Sequence, residues 1–182
     1  NQQNVFGSGN SVGIAANTSS VNRNLGLSYT DPYFTIDGLS AGFDIYDRRF
    51  DAQELNLGNY ITESLGAGLR VGYPITELDR INFGLTLEQT KIETFDNSPQ
   101  RFIDFVNQNG NEPMALITTT SWVRDRRDSA IWPTSGTLQR ASAEITLPVL
   151  DLRYYKLGYQ LGWYYPITND FTLYLNGELV GL

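Results

Sequence analysis

Histidine and cysteine are both absent from this chain of 182 residues. Their absence removes imidazole bases, thiolate nucleophiles, zinc sites built on either side chain, and disulfides. Any covalent chemistry would fall to carboxylates, hydroxyls, lysine and arginine. Helix-period stretches are scarce. No apolar run reaches the roughly 18 residues that a membrane-crossing helix needs. That leaves membrane strands untested, because a barrel strand gives no signal in such a count. Positive charge is also short. The 13 Lys+Arg stand against 20 Asp+Glu, a net charge of −7, which speaks against a nucleic-acid footprint. No signal-peptide pattern and no initiating methionine occur at the start. Asn1 leads almost directly into a turn and Leu182 ends a strand, so the chain reads as a piece of something longer. Its length suits one domain.

What the chain has instead is alternation. Tyr155, Leu157, Tyr159, Leu161, Trp163 and Tyr165 alternate with Lys156, Gly158, Gln160, Gly162 and Tyr164. This lasts the roughly 9–11 residues of a membrane-crossing strand. One face would be apolar with an aromatic at each end, the other small or polar, as in a transmembrane β-barrel. The pattern recurs. Leu65, Ala67, Leu69, Val71 and Tyr73 alternate with Ser64, Gly66, Gly68, Arg70 and Gly72. Similar sets run through Leu39–Tyr46, Ile81–Glu88, Arg140–Leu147 and Phe171–Leu179. A single such strand also fits a half-buried soluble sheet, but a series of them with little helix between points to a barrel. The 17 Gly and 11 Tyr agree with this, as they would with other β proteins.

The pattern predicts about nine strands in a simple meander: 10–17, 22–30, 38–50, 57–73, 80–93, 114–125, 136–147, 154–165 and 171–182. Every second connection is compact and carries proline between aromatics: Asp31–Gly38, Tyr73–Thr76, Trp132–Gly136 and Tyr165–Thr168. Tyr-Pro-Ile-Thr occurs twice among them, in equivalent places. The other connections are more polar and vary in length. Outer-membrane barrels have short periplasmic turns and longer extracellular loops, so the proline turns are expected to be periplasmic.

One polar connection, Ser98–Gly110, reads as a short helix. Ser98 would be its N-cap, Pro99 its first residue and Gly110 its end. Phe102, Phe105 and Val106 share a face, which would either pack on the barrel mouth or take a partner. At the start, Val5–Asn10 reads as a turn and Ser11–Ala16 as a short glycine-bearing strand. That strand is either a frayed end or an edge meant to open.

Several stretches resemble a known family. Phe6-Gly7-Ser8-Gly9, Tyr29–Gly38, Arg124–Gly136 and Tyr154-Tyr155-Lys156-Leu157 are similar to the barrel of the BamA family, central subunits of the bacterial outer-membrane β-barrel assembly machine. The resemblance covers essentially the whole chain. Arg124–Gly136 is its most specific part, although the wider superfamily shares it. Phe6–Gly9 resembles the periplasmic turn between the family's second and third strands. The fold that the resemblance implies is all-β: an antiparallel up-and-down transmembrane β-barrel, with about nine consecutive strands, resembling strands three to eleven, of roughly sixteen. Residues 1–182 would then be a partial barrel domain, without the periplasmic repeats, the first two strands, or the later strands and their Val-Arg-Gly-Phe loop.

The resemblance also implies a function without covalent chemistry: assembly and insertion of outer-membrane proteins, at a lateral gate that opens and adds a client strand by main-chain pairing. The implied partners are unfolded outer-membrane clients, accessory lipoproteins and the lipid bilayer, in the bacterial outer membrane. No cofactor, no metal site and no catalytic residue is expected. The client-pairing edge is expected upstream of Asn1, leaving none in this chain, and Ser11–Ala16 would be an interior strand. A superfamily relative that secretes a partner or assembles autotransporters is an alternative. So is a soluble ligand-binding β-barrel, which would put its apolar face inside. For an enzyme, Asp44 and Glu88 would be a candidate carboxylate dyad, against their pairing in the lumen with Arg70 and Arg140.

Overall fold

The structure, a computed structural model, describes residues 9–55, 58–168 and 170–182. Nine strands lie in one antiparallel sheet, each beside its neighbour in sequence. They are β1 (Ser11–Thr18), β2 (Asn22–Asp31), β3 (Ser40–Asp51), β4 (Tyr60–Pro74), β5 (Asp79–Thr94), β6 (Met114–Asp125), β7 (Gly136–Thr146), β8 (Tyr155–Pro166) and β9 (Thr172–Gly181). A single helix, α1 (Gln100–Asn109), lies between β5 and β6. The expected meander of nine is therefore what forms. No helix among the described residues is long and apolar enough to cross a membrane, which says nothing of crossing by strands.

One expectation needs correction, and the loop before β4 bears on it. Asn59 donates from Nδ2 to the Asp96 carbonyl at 3.1 Å and accepts at its own carbonyl from Ser98 Oγ. Ser98 therefore does not cap α1. Its hydroxyl also takes the Phe95 N–H at 2.8 Å, so it clasps two loop segments together. Pro99 is the capping position instead, and α1 starts one residue later than expected. Gly110 ends the helix as expected, at φ 82°, with its N–H on the Val106 carbonyl. The turn at Phe6-Gly7-Ser8 and the expected strand start at 57 lie outside the described residues.

The sheet has almost no core in its middle. Its few buried apolar side chains, Ala52, Ile61, Ile92, Ala115 and Ile117, gather where the long loops leave the sheet. Elsewhere the two faces differ by residue type alone. The register aligns Ile14, Leu27, Ile45 and Ala67 with Leu87 and Leu116 on one face. The same face continues through Ala143 and Leu157. The opposite face carries Gly26, Tyr46, Gly66 and Glu88 in one row.

The two Tyr-Pro-Ile-Thr turns are one device used twice. In the first, the Ile75 and Thr76 N–H groups donate to the Asp79 carbonyl at 2.9 and 3.2 Å. In the second, Ile167 and Thr168 donate to the Phe171 carbonyl at 2.9 and 3.1 Å. The threonine hydroxyl accepts the N–H three residues on in both, at 3.0 and 3.1 Å.

Candidate functional site: a two-faced wall

Among the described residues, the apolar face is left uncovered. On β8, Leu157, Tyr159, Leu161 and Trp163 are 50, 38, 38 and 44 % exposed. The columns on β4, β5 and β9 are open in the same way, through Leu69, Phe83 and Leu175. A continuous exposed apolar face of this size is not tolerated in water but is what lipid requires. Aromatics collect near its proline-turn end, where Tyr73, Trp163 and Tyr165 stand in the open. Trp163 and Tyr165 pack at 5.7 Å, and the Trp122 indole donates to Asp79 at 3.1 Å. This is the aromatic girdle of a membrane interface.

The other face is a polar network laid on glycine. Asp44 pairs with Arg70 at 3.0 Å. Tyr46 donates from its hydroxyl to Glu88, reaching from β3 over β4 to β5. It can do so because Gly66 lies beneath the ring, where any Cβ would collide with it. Tyr164 and Tyr174 stack at 4.5 Å between β8 and β9, and Asn82 donates to Ser121 at 3.2 Å between β5 and β6. Lys156, Gly158, Gln160 and Gly162 are on this face, as the alternation predicts. A soluble ligand-binding barrel would show the inverse, an apolar interior.

The two carboxylates of the candidate dyad stand on β3 and β5, with β4 between them, and have different partners. Asp44 is engaged by Arg70, while Glu88 accepts from Tyr46 and, at 3.3 Å, from Thr90. The bond that ties Glu88 down comes from Tyr46, a residue that sequence reasoning did not single out and that only the strand register brings near.

At the loop end, α1 turns its half-buried residues to the mouth. Phe102 stacks on Tyr60 at 4.0 Å, Tyr60 meets Phe50 at 6.5 Å, and the Arg101 guanidinium lies 4.8 Å over Phe102. Tyr60 and Phe50 belong to the polar face's end of the wall, so the helix leans over the opening on that side. Phe102 thus packs on the mouth through Tyr60.

At the proline-turn end, the Arg124–Gly136 stretch folds around one carboxylate. Asp128 accepts the N–H groups of Ser129, Thr134 and Ser135 and the Thr134 hydroxyl. Hydrogen bonds from Thr134 first, then from these amides, hold its carboxyl well below the usual range. Arg127 grips Asp125 with two bonds of 2.9 and 2.7 Å. Gly136 sits at φ 105°, with no room for a Cβ beside the Arg126 carbonyl. The resemblance marked this stretch, but the Asp128 hub is visible only once the turn is folded.

The sheet does not close on itself. β1 pairs only with β2 and β9 only with β8 among the described residues.

Comparison with known proteins agrees with this architecture. The Omp85 superfamily domain matches residues 4–180. The outer membrane protein assembly factor BamA of Neisseria meningitidis serogroup B (strain MC58) is 39% identical over 98% of this chain. BamA of Nitratidesulfovibrio vulgaris is 24% identical over 75% of it. The chain spans only 24% and 16% of those two proteins' lengths. The crystal structure of Haemophilus ducreyi BamA lacking POTRA domains 1–3 superposes with a TM-score of 0.81 at 24% identity, covering 98% of this chain and 36% of that one, and shows the fold. These relatives are outer-membrane proteins of bacteria. An open antiparallel wall, apolar outside and polar inside, matched by one family domain along nearly all its length, makes this chain a member of the Omp85 superfamily.

Proposed function

We propose that the chain is a lipid-embedded sector of the barrel of an outer-membrane assembly factor, one that inserts β-barrel clients by strand pairing. The observation that carries this is the apolar face exposed from β1 to β9 over a polar inner face. Backbone groups at an unpaired edge cannot be satisfied by lipid, so such a wall needs further strands beside β1 and β9. Residues 1–182 are accordingly a partial barrel domain, corresponding to strands three to eleven of about sixteen, the size the family resemblance gives.

In this reading the lateral gate and its client-pairing edge lie upstream of Asn1. β1 is an interior strand with both ladders occupied, and it has no edge to offer. Partners are unfolded outer-membrane clients and accessory lipoproteins, and no covalent step is involved. The proline turns face the periplasm and α1 the outside.

Depletion of the full-length protein that carries this span tests the function. Folded, heat-modifiable porins should fall several-fold while unfolded clients accumulate in the periplasm. Unchanged porin levels with loss of one secreted partner would identify a secretion relative instead. The gate is tested by cross-linking. Gly13→Cys should give far less disulfide with a stalled client strand than cysteines placed in the first strand of the full-length barrel. Equal or higher yield at position 13, in a folded protein, would put the gate in β1.

A further inference from the structure

Each connection at the proline-turn end holds an isoleucine out in the open. Ile36 lies between β2 and β3, Ile75 between β4 and β5, Ile131 between β6 and β7, and Ile167 between β8 and β9. Single exposed apolar residues are ordinary, but a row of them at equivalent places is a patch. The turns that carry the row adjoin one another. Gly38 of the first lies beside the Pro74 ring of the second, and the Leu78 carbonyl of the second takes the Asp125 N–H, where the third begins, at 2.9 Å.

The pleat shows which side these tips address. Ile75 comes two residues after Tyr73, and Ile167 two after Tyr165, so both prolong outward columns, those of β4 and β8. Their amides still bond across the hairpin, to the Asp79 and Phe171 carbonyls, and carry the alternation into the turn. Phe171 stands across from Ile167 and is 70 % exposed. The lipid-facing surface therefore runs past the aromatic girdle without a break. Two residues of a tilted strand add about 5 Å of depth, and the headgroup layer on each side of a bilayer is about 5–7 Å thick. Ile75 and Ile167 end within that layer.

Charge narrows the kind of lipid. The first, second and fourth turns carry no lysine or arginine. They carry Asp37, Glu77 and Asp170, whose exposed side chains have no ion pair or hydrogen bond among the described residues. Free carboxylates repel an anionic headgroup and accept hydrogen bonds from an ammonium group. We propose that the proline-turn rim docks into the headgroup layer of the near leaflet and prefers ethanolamine headgroups. The isoleucines enter between the headgroups, and Asp37, Glu77 and Asp170 take the ammonium N–H groups. A choline headgroup has no N–H to donate, so it holds the rim less well. The inference rests on the outer-membrane reading.

The test places one cysteine at a time in the full-length protein, freed of any other, and labels it with the environment-sensitive dye NBD. The positions are Ile75→Cys, Ile131→Cys and Ile167→Cys, with Gln108→Cys, exposed on α1, as the control. The proteins are folded into vesicles of phosphatidylethanolamine with a minor share of phosphatidylglycerol and a lipid bearing a nitroxide at its headgroup. Heat-modifiable migration checks folding. The three rim labels should emit to the blue of the control and be quenched several-fold more. Exchanging phosphatidylethanolamine for phosphatidylcholine should weaken that quenching, and Asp37→Asn, Glu77→Gln and Asp170→Asn together should remove the difference between the two lipids. If a label at position 75 prevents folding, position 167 reports on the same turn geometry. Water-like, unquenched rim labels overturn the proposal. Blue emission without quenching also overturns it, because a protein domain then covers the rim, and so does equal quenching in the two lipids. A label at Leu161→Cys that an acyl-chain nitroxide fails to quench would instead overturn the membrane reading beneath it.

Discussion

Single residues in this wall matter most where backbone geometry leaves no alternative. Gly136 holds φ 105°, a region closed to side chains, and its neighbour is a carbonyl that cannot move aside. Gly136→Ala should cost about 1–3 kcal/mol through strain. Thermal unfolding in detergent should show a clear drop, and Gly177→Ala, where a Cβ meets nothing within 4 Å, should show far less. Asp128 makes a different prediction. Its carboxyl is held below the ordinary range, so the folded protein favours the charged form. That stabilisation is complete above the unfolded carboxylate pKa of about 3.9 and is lost only as pH falls through the lower folded value. Asp128→Asn should therefore unfold at lower temperature than the native protein at pH 7, and the gap should shrink in acid below pH about 4. A gap independent of pH would mean that the turn does not depend on the charge. On the polar face, Gly66→Val should displace Tyr46 and free Glu88. Tyr46→Phe, which keeps the ring over Gly66, should be milder than Tyr46→Ala, since a ring over a strand glycine contributes packing as well as a hydrogen bond.

At the scale of elements, the strands were legible because a period of two, repeated with aromatics at the ends, matches a pleated strand and no helix. β6 (Met114–Asp125) and β7 (Gly136–Thr146) begin where the pattern puts them. The cap of α1 was not legible. Ser98 looks like a helix cap locally, but its hydroxyl answers to Asn59, 39 residues away in sequence. The same holds for the Tyr46–Glu88 bond. It depends on the register of three strands, which alternation alone does not set. α1 offers a test at this scale. Phe102→Ala removes the stack on Tyr60, worth about 0.5–1.5 kcal/mol beyond area. Limited proteolysis should then cut the 95–113 connection sooner, while the melting temperature of the barrel stays nearly unchanged. Gly13→Pro should behave in the opposite way. It removes a donor from a strand and should damage folding itself rather than assembly alone.

The whole molecule is a wall between two solvents, and its stability belongs to the bilayer as much as to its own contacts. Leu161 lies in the middle of β8 on the apolar face, while Gln160 beside it faces inward. Leu161→Arg should cost about 2–4 kcal/mol in a membrane, as a cation at the bilayer midplane does. Gln160→Arg should cost little, because it enters the polar side. Refolding into vesicles, monitored by heat-modifiable migration, separates the two. Equal effects would mean that the faces are not divided between lipid and water.

The twin turns at Tyr73–Thr76 and Tyr165–Thr168 carry a consequence for how such walls arise. Both close on the fourth residue after isoleucine with the same pair of amide bonds and the same threonine hydroxyl, so the hairpins β4–β5 and β8–β9 begin from interchangeable hinges. Each hairpin also brings its own outward and inward rows, already in phase with its neighbours. A hairpin is thus a cassette. Copying one widens the circumference by two strands without disturbing the alternation of those already present, and deleting one narrows it by two. Growth by duplication in this way explains why barrels of this kind keep even strand numbers. It also predicts that replacing Glu77-Leu78 with Asn169-Asp170, with Asp79 kept for Trp122 and Arg124, would leave every rung of the sheet in place.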